Sequence, residues 1–209
     1  VKSLLMNKDR FKLKELRLYD IDGERQEKVA LIAARVIEEY DKEVKLIITT
    51  DPEEAFKEAD FIFSQMRVGK YKMREKDEKI PLRYGVVGQE TCGPGGLAYG
   101  MRTIFPMIEL IDLVEKSASK DHWIVNYSNP ASIVAEGIRR LRPKARVLNI
   151  CDMPVGVIRN MAAILKVDRN SLVVDYFGLN HFGWFTRVMV DGVARLPELR
   201  SHGEKHGLL

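Results

Sequence analysis

Cysteine, long apolar runs and an excess of charge of either sign are all scarce in this 209-residue chain. The two cysteines, Cys92 and Cys151, stand far apart with no secretory leader read ahead of them. That excludes a disulfide-stapled miniprotein and points to a reducing cytoplasm. Apolar runs such as Ala30 to Ala34 or Phe61 to Phe63 fall far short of the roughly 18 residues that a membrane-spanning helix takes, so no membrane span is expected. Lys and Arg number 34 against 30 for Asp and Glu, a net +4, and the basic residues are interleaved with acidic ones. No nucleic-acid partner is expected from so even a distribution. What the chain does have is 45% hydrophobic and 31% charged residues, the balance of a globular protein. With about 150 residues to a domain, its length predicts one domain with something attached.

Leu16 to Tyr19 reads as a short strand, followed by Val29, Ile32, Ala33, Val36, Ile37 and Tyr40 at helical spacing. Val44 to Thr49 is a second strand, and Asp51-Pro52-Glu53-Glu54 supplies an N-cap, a proline at the first helical position and a capping-box glutamate. Asp60 to Gln65, His122 to Tyr127 and Ala145 to Ile150 read as further strands, with helices over Thr103 to Lys116 and Pro130 to Leu141. Strands that alternate with helices pair in parallel, and a parallel sheet needs helices on both faces. The predicted fold class is α/β, a doubly wound parallel sheet of the Rossmann type. After Phe177 the pattern changes to a hairpin, Trp184 to Val190 and Val193 to Leu196 around the type I′ dipeptide Asp191-Gly192. The expected division is a dinucleotide-binding domain over 1–177 and the start of a second, α+β domain over 178–209. The tail from Glu198 reads as polar, glycine-punctuated chain that closes no fold.

One element of such a sheet is missing. The first strand of a dinucleotide-binding fold and its glycine-rich turn receive the pyrophosphate, and neither is present. Val1 to Met6 reads as an uncapped amphipathic helix, the helix such a turn would deliver. The natural chain is therefore expected to be longer.

Several residues could carry chemistry. Asp20 ends the first strand, where a carboxylate can accept from an adenosine ribose; equally, Asp20 and Asp22 can form a turn or cap the next helix. Five glycines and a proline surround Gln89 and Glu90 between Gly85 and Gly96, a long connection of the kind that is usually functional. It is not a P-loop, because no Gly-Lys-Ser/Thr follows. Asn129-Pro130 follows a strand at the carboxyl edge, where it either meets a ligand or caps a helix. Arg67 and Arg74 lie near the same edge and can hold a phosphate through paired N–H donors. Cys151-Asp152 ends one strand, and Asn180-His181 lies just beyond another. A thiolate and an imidazole at one edge can ligate a metal, and the adjacent carboxyl can move a proton; an inert cysteine and a capping aspartate are the plainer alternative. Ligand softness by itself nominates zinc. His122 heads a strand, and His202 and His206 lack the glutamate of a His-Glu-x-x-His helix.

Arg67-Val-Gly-Lys-Tyr-Lys-Met-Arg74, Gly88-Gln-Glu-Thr-Cys-Gly-Pro-Gly-Gly96, Ser128-Asn-Pro-Ala131, Asn149-Ile-Cys-Asp-Met-Pro154 and Gly178-Leu-Asn-His-Phe-Gly183, in that order and spacing, resemble glycoside hydrolase family four. They cover nearly the whole chain, which looks like the amino-terminal half of a member without its extreme start. The likeness is closest to the members acting on 6-phospho-α-glucosides, because Asp152 follows Cys151 where the β-specific relatives usually carry Asn. The resemblance implies a hydrolase that needs NAD and a divalent metal, usually Mn2+, an exception among glycosidases. NAD would take a hydride from C3 of a phosphorylated disaccharide, with Cys151 and His181 holding the metal at the oxygens of C2 and C3. A base would then remove the C2 proton, Asp152 would protonate the departing oxygen, water would add, and the hydride would return. By the same resemblance Arg74, Asn129, Glu90 and Asn180 would meet substrate, Asp20 and Arg67 the cofactor, and the enzyme would be a homo-oligomer, a dimer or tetramer. The family's tyrosine base lies beyond this stretch, and Tyr71, Tyr84, Tyr99 and Tyr127 do not match it. These 209 residues alone are thus expected to be inactive. The competing readings are a 6-phospho-β-glucosidase, a lactate/malate-type dehydrogenase and an inactive remnant.

Overall fold

The computed structural model describes residues 1–179 and 181–207. The chain divides into two compact units, one formed by Val1–Ile62 with Glu109–Trp123 and the other by Phe63–Ile108 with Ile124–Leu209.

The first unit opens on helix α1 (Lys2–Met6), which has no side-chain cap, as its sequence predicts. Strand β1 (Glu15–Tyr19) pairs in parallel with β2 (Lys45–Thr49), from Glu15 opposite Lys45 to Tyr19 opposite Thr49. Helix α2 (Gly23–Tyr40) joins them, started by Asp22, whose side chain accepts from the Arg25 amide. Its apolar stripe puts Ile37 into a cluster with Leu5 and Val44. The buried amide of Gln26 donates to the carbonyls of Leu18 and Thr49, tying the ends of both strands to the helix. Helix α3 (Pro52–Phe56) begins at Asp51, which accepts from the Glu53 amide at 2.9 Å with Pro52 at the first position. The reciprocal bond of a capping box is replaced: the Asp51 amide donates to Thr49 Oγ1 at 3.1 Å.

The second unit carries the rest of a three-stranded sheet ordered β3 (Phe61–Ser64), β4 (Trp123–Asn126), β5 (Val147–Asn149), in which β4 and β5 are parallel. Among the described residues no ladder joins β1 to β3. An interrupted sheet of this kind is what the sequence reading expects. Helices α4 (Lys70–Leu82), α5 (Gly93–Ser117), α6 (Ala131–Leu141) and α7 (Met153–Leu165) alternate with the strands, α5 continuing into the first unit. A short 3-10 turn then leads to the antiparallel strands β6 (Leu172–Leu179), β7 (Phe182–Val190) and β8 (Val193–Ala194), and to helix α8 (Leu196–His206). Asp191 and Gly192 both take positive φ, 47° and 80°, as a type I′ turn requires. The sheet of β6 to β8 packs its Val188 and Val190 against Met161 and Leu165 of α7 and Leu199 of α8.

Three expectations are corrected. Helix α5 starts at Gly93, ten positions before the predicted Thr103, so the glycine-rich connection is shorter than it looked. Its glycines carry a propensity penalty, but the packing demands them: a Cβ at Gly95 would lie 2.6 Å from the carbonyl oxygens of Asp77 and Gln89. The tail from Glu198 does close part of the fold, because Leu199 of α8 is 1% exposed. Finally, position 177 falls inside β6 rather than at an element boundary.

Candidate active site

Strands β4 and β5 end together, and a run of buried polar side chains holds those ends in register. Asn126 Nδ2 donates to Asn149 Oδ1 at 2.8 Å, the Ser128 amide donates to Asn126 Oδ1 at 3.1 Å, and the Met66 amide donates to Ser128 Oγ at 3.0 Å. Asn126 is fully buried, so these bonds satisfy groups that would otherwise be stranded in the core. Met66, which follows β3, is thereby tied to the same edge.

Cys151 and Asp152 leave β5 at this edge, and Cys151 Sγ lies 3.5 Å from His181 Nε2. His181 sits in the tight link between β6 and β7 with φ of 62°, an uncommon conformation for a residue with a side chain. Asp152 stands at the N-cap position of α7, yet its side chain makes no cap hydrogen bond. Its Oδ1 is 4.0 Å from Cys151 Sγ. Lost hydration first, and then the Asp152 carboxylate, push the Tyr127 phenol above its ordinary value, so it stays a protonated donor. Asn129 is likewise released from capping, since the N-cap of α6 is Pro130 and no side chain caps it. The plainer readings of Asp152 and Asn129 as helix caps are therefore not realised.

A second cluster gathers the predicted arginines. Arg67 Nη1 donates to Glu90 Oε1 at 2.6 Å, Arg74 Nη2 lies 3.3 Å from Glu90 Oε2, and Arg74 Nε donates to Glu78 Oε1 at 2.8 Å. Glu78 beside it holds the Arg74 guanidinium still more firmly in its charged form. Sequence reasoning placed Arg67 and Arg74 near one sheet edge and Glu90 in the glycine-rich loop; it missed Asp77, Tyr99 and Arg102, which back this cluster, because the pairing of α4 with α5 has no short-range signature.

In the first unit Asp20 ends β1, and its Oδ1 accepts from the Asp22 amide at 3.0 Å, so the turn reading of this residue is realised. Asn180 lies outside the described residues.

The donor set fits a divalent cation. Metal–sulfur and metal–nitrogen bonds of about 2.3 and 2.0–2.1 Å leave two ligands of one ion roughly 3–4 Å apart, and the Cys151–His181 separation falls there. Among the described residues no group of three or more His, Cys, Asp or Glu side chains could hold an ion, so a cation here would draw further ligands from outside this set.

Fold and site together define a doubly wound α/β chain with a thiol–imidazole pair beside an aspartate at the carboxyl edge of its sheet. Residues 1–167 match the Family 4 glycosyl hydrolase family, and the chain belongs to it. It is 54% identical over 209 residues to a 6-phospho-alpha-glucosidase 1 of Lacticaseibacillus paracasei, covering 99% of this chain and 47% of that protein. A 6-phospho-beta-glucosidase of Escherichia coli is 37% identical over 188 residues, covering 88% of this chain and 42% of that protein. Among solved structures, a 6-phospho-alpha-glucosidase from gut microorganisms in complex with NAD and glucose-6-phosphate superposes with a TM-score of 0.94 at 56% identity, over 98% of this chain and 47% of that one. A second, in complex with NAD and Mn2+, gives 0.94 at 45% identity, over 100% and 48% of the two chains. The chain spans about half the length of the curated relatives it matches.

Proposed function

We propose that the protein carrying this sequence hydrolyses 6-phospho-α-glucosides such as maltose 6-phosphate to glucose 6-phosphate, with NAD and a divalent metal, Mn2+ in the first instance. The observation that carries the reading is Cys151 Sγ at 3.5 Å from His181 Nε2 with Asp152 next to it, in a chain whose similarity to the α-specific enzymes exceeds that to the β-specific one. When bound, NAD supplies a reversible hydride acceptor at C3 of the sugar and the metal a Lewis acid for its C2 and C3 oxygens.

The chain's own residues do the rest. Cys151 and His181 would hold the cation. Asp152, free of capping duty, gives its proton to the departing C1 oxygen. Arg74 holds the 6-phosphate by charge-assisted N–H bonds, and Asn129 contacts the sugar. Glu90 and Asn180 complete the substrate contacts. Asp20 and Arg67, each just past a strand end, are the residues offered to NAD; the second carboxylate oxygen of Asp20 is the one left for a ribose hydroxyl, since the first serves the turn. Two free cysteines, Cys92 and Cys151, support a cytoplasmic setting.

Release of glucose 6-phosphate by the full-length polypeptide from maltose 6-phosphate and from cellobiose 6-phosphate tests the assignment. The α-linked substrate should be cleaved only with NAD and Mn2+ present and the β-linked one much more slowly. Equal cleavage or a preference for the β-linked substrate would move the protein to the β-specific branch, and turnover of neither would end the proposal.

A further inference from the structure

Asp77 of α4 is 7% exposed, a costly position for a carboxylate unless a cation meets it. Arg102 of α5 does so with both arms: Nη2 donates to Oδ1 at 2.6 Å and Nη1 to Oδ2 at 3.0 Å. Such a fork fixes orientation as well as distance.

The pair reaches the substrate residues through one ring. The Arg102 guanidinium carbon lies 5.9 Å from the centroid of Tyr99, and that of Arg67 lies 5.6 Å from the same centroid and 5.4 Å from that of Tyr71. Tyr99 is 3% exposed and donates its hydroxyl to the carbonyl of Met66, the residue before Arg67, at 3.5 Å. From Arg67 the contacts continue to Glu90 and from Glu90 to Arg74. The backbone closes tightly around the pair. A Cβ at Gly69, which has φ of 86°, would come 2.5 Å from Met73 Cγ and 3.4 Å from Arg102 Cδ. One at Gly95 would come 2.6 Å from the Asp77 carbonyl oxygen.

We propose that Asp77 and Arg102 are a positioning pair for the phosphate end of the substrate site: they lock α4 to α5 and fix Tyr99, and through the Arg67–Glu90 contact they hold Glu90 and Arg74 to meet a sugar phosphate in one set arrangement. Neither residue touches substrate. The inference rests on the reading that Arg74 takes the 6-phosphate.

The test uses the full-length enzyme with NAD and Mn2+ and the variants Asp77→Asn, which keeps shape but not charge, and Arg102→Lys, which keeps charge but not the fork. The readouts are KM and kcat for maltose 6-phosphate and competitive inhibition by glucose 6-phosphate. In each variant KM and the inhibition constant should rise about tenfold, while kcat stays within about twofold, the pattern of lost binding rather than lost chemistry. Unchanged KM, or kcat falling along with a rise in KM, overturns the proposal. So does failure of both variants to fold, which would make the pair a stability element. Arg74→Met separates the two layers. If it leaves glucose 6-phosphate inhibition unchanged, the phosphate assignment itself fails. If it weakens inhibition while Asp77→Asn and Arg102→Lys do not, only the positioning pair is lost.

Discussion

Cys151 and His181 stand thirty positions apart in sequence, on the end of β5 and in the β6–β7 link, yet their sulfur and nitrogen lie 3.5 Å apart. Under the proposed function these two atoms are ligands of one cation. Cys151→Ser or His181→Ala should abolish tight Mn2+ binding, read by the EPR signal of free Mn2+, with the fold retained; binding as tight as in the parent would remove the metal site. Glu136 makes a different residue-scale prediction. Bonds from Arg139 and then Arg140 hold its carboxyl down to about 2. A folded-state value below the ordinary 4.5 means that the pair supports α6 above about pH 4.5 and loses that support as pH falls toward 2. Glu136→Gln should therefore lower stability at neutral pH and have no effect near pH 2, in urea titrations at both. The residue chemistry of the site was legible early, because Cys-Asp and Asn-His each follow a strand. The nearness of Tyr127 to Asp152 was not, because the two follow neighbouring strands and nothing local links them.

At the scale of elements, glycines decide how closely the pieces approach. A Cβ on Gly88 would sit 1.9 Å from the carbonyl oxygen of Glu78 on α4, a collision with backbone that no rotamer change relieves. Gly88→Ala should cost about 1–3 kcal/mol of stability and weaken glucose 6-phosphate binding, because the loop it moves carries Glu90. Gly156 on α7 has nothing within 4 Å of an added Cβ. Gly156→Ala should stabilise by roughly 0.4–1 kcal/mol through the unfolded chain, so urea unfolding of the two variants should move in opposite directions. The same logic explains which elements sequence patterns revealed. The strands follow hydrophobic period and lie where predicted within a residue or two; α2 covers the predicted stripe and begins earlier, at Gly23. Helix α4 carries eight charged residues among the thirteen of Lys70–Leu82, with its i,i+4 pairs Arg74–Glu78 and Glu75–Lys79, and offers no apolar stripe to read. The start of α5 is hidden by glycines kept for contact with α4, and α8 by a polar sequence anchored through Leu199.

On the scale of the whole molecule, two sheets of parallel character and an antiparallel sheet are distributed over two compact units, and the stretch aligns with about half of each curated relative. Fold class was readable from the alternation of strands with helices, and the family from its resemblance in five segments in order. Under the proposed function, hydrolysis proceeds by oxidation and reduction rather than displacement. Removal and return of the C2 proton leave a mark that displacement does not. The most direct measurement is therefore hydrolysis of maltose 6-phosphate by the full-length polypeptide in deuterium oxide, with the glucose 6-phosphate examined by NMR. The account predicts deuterium at C2 of the product; product that retains hydrogen there at every turnover would contradict it.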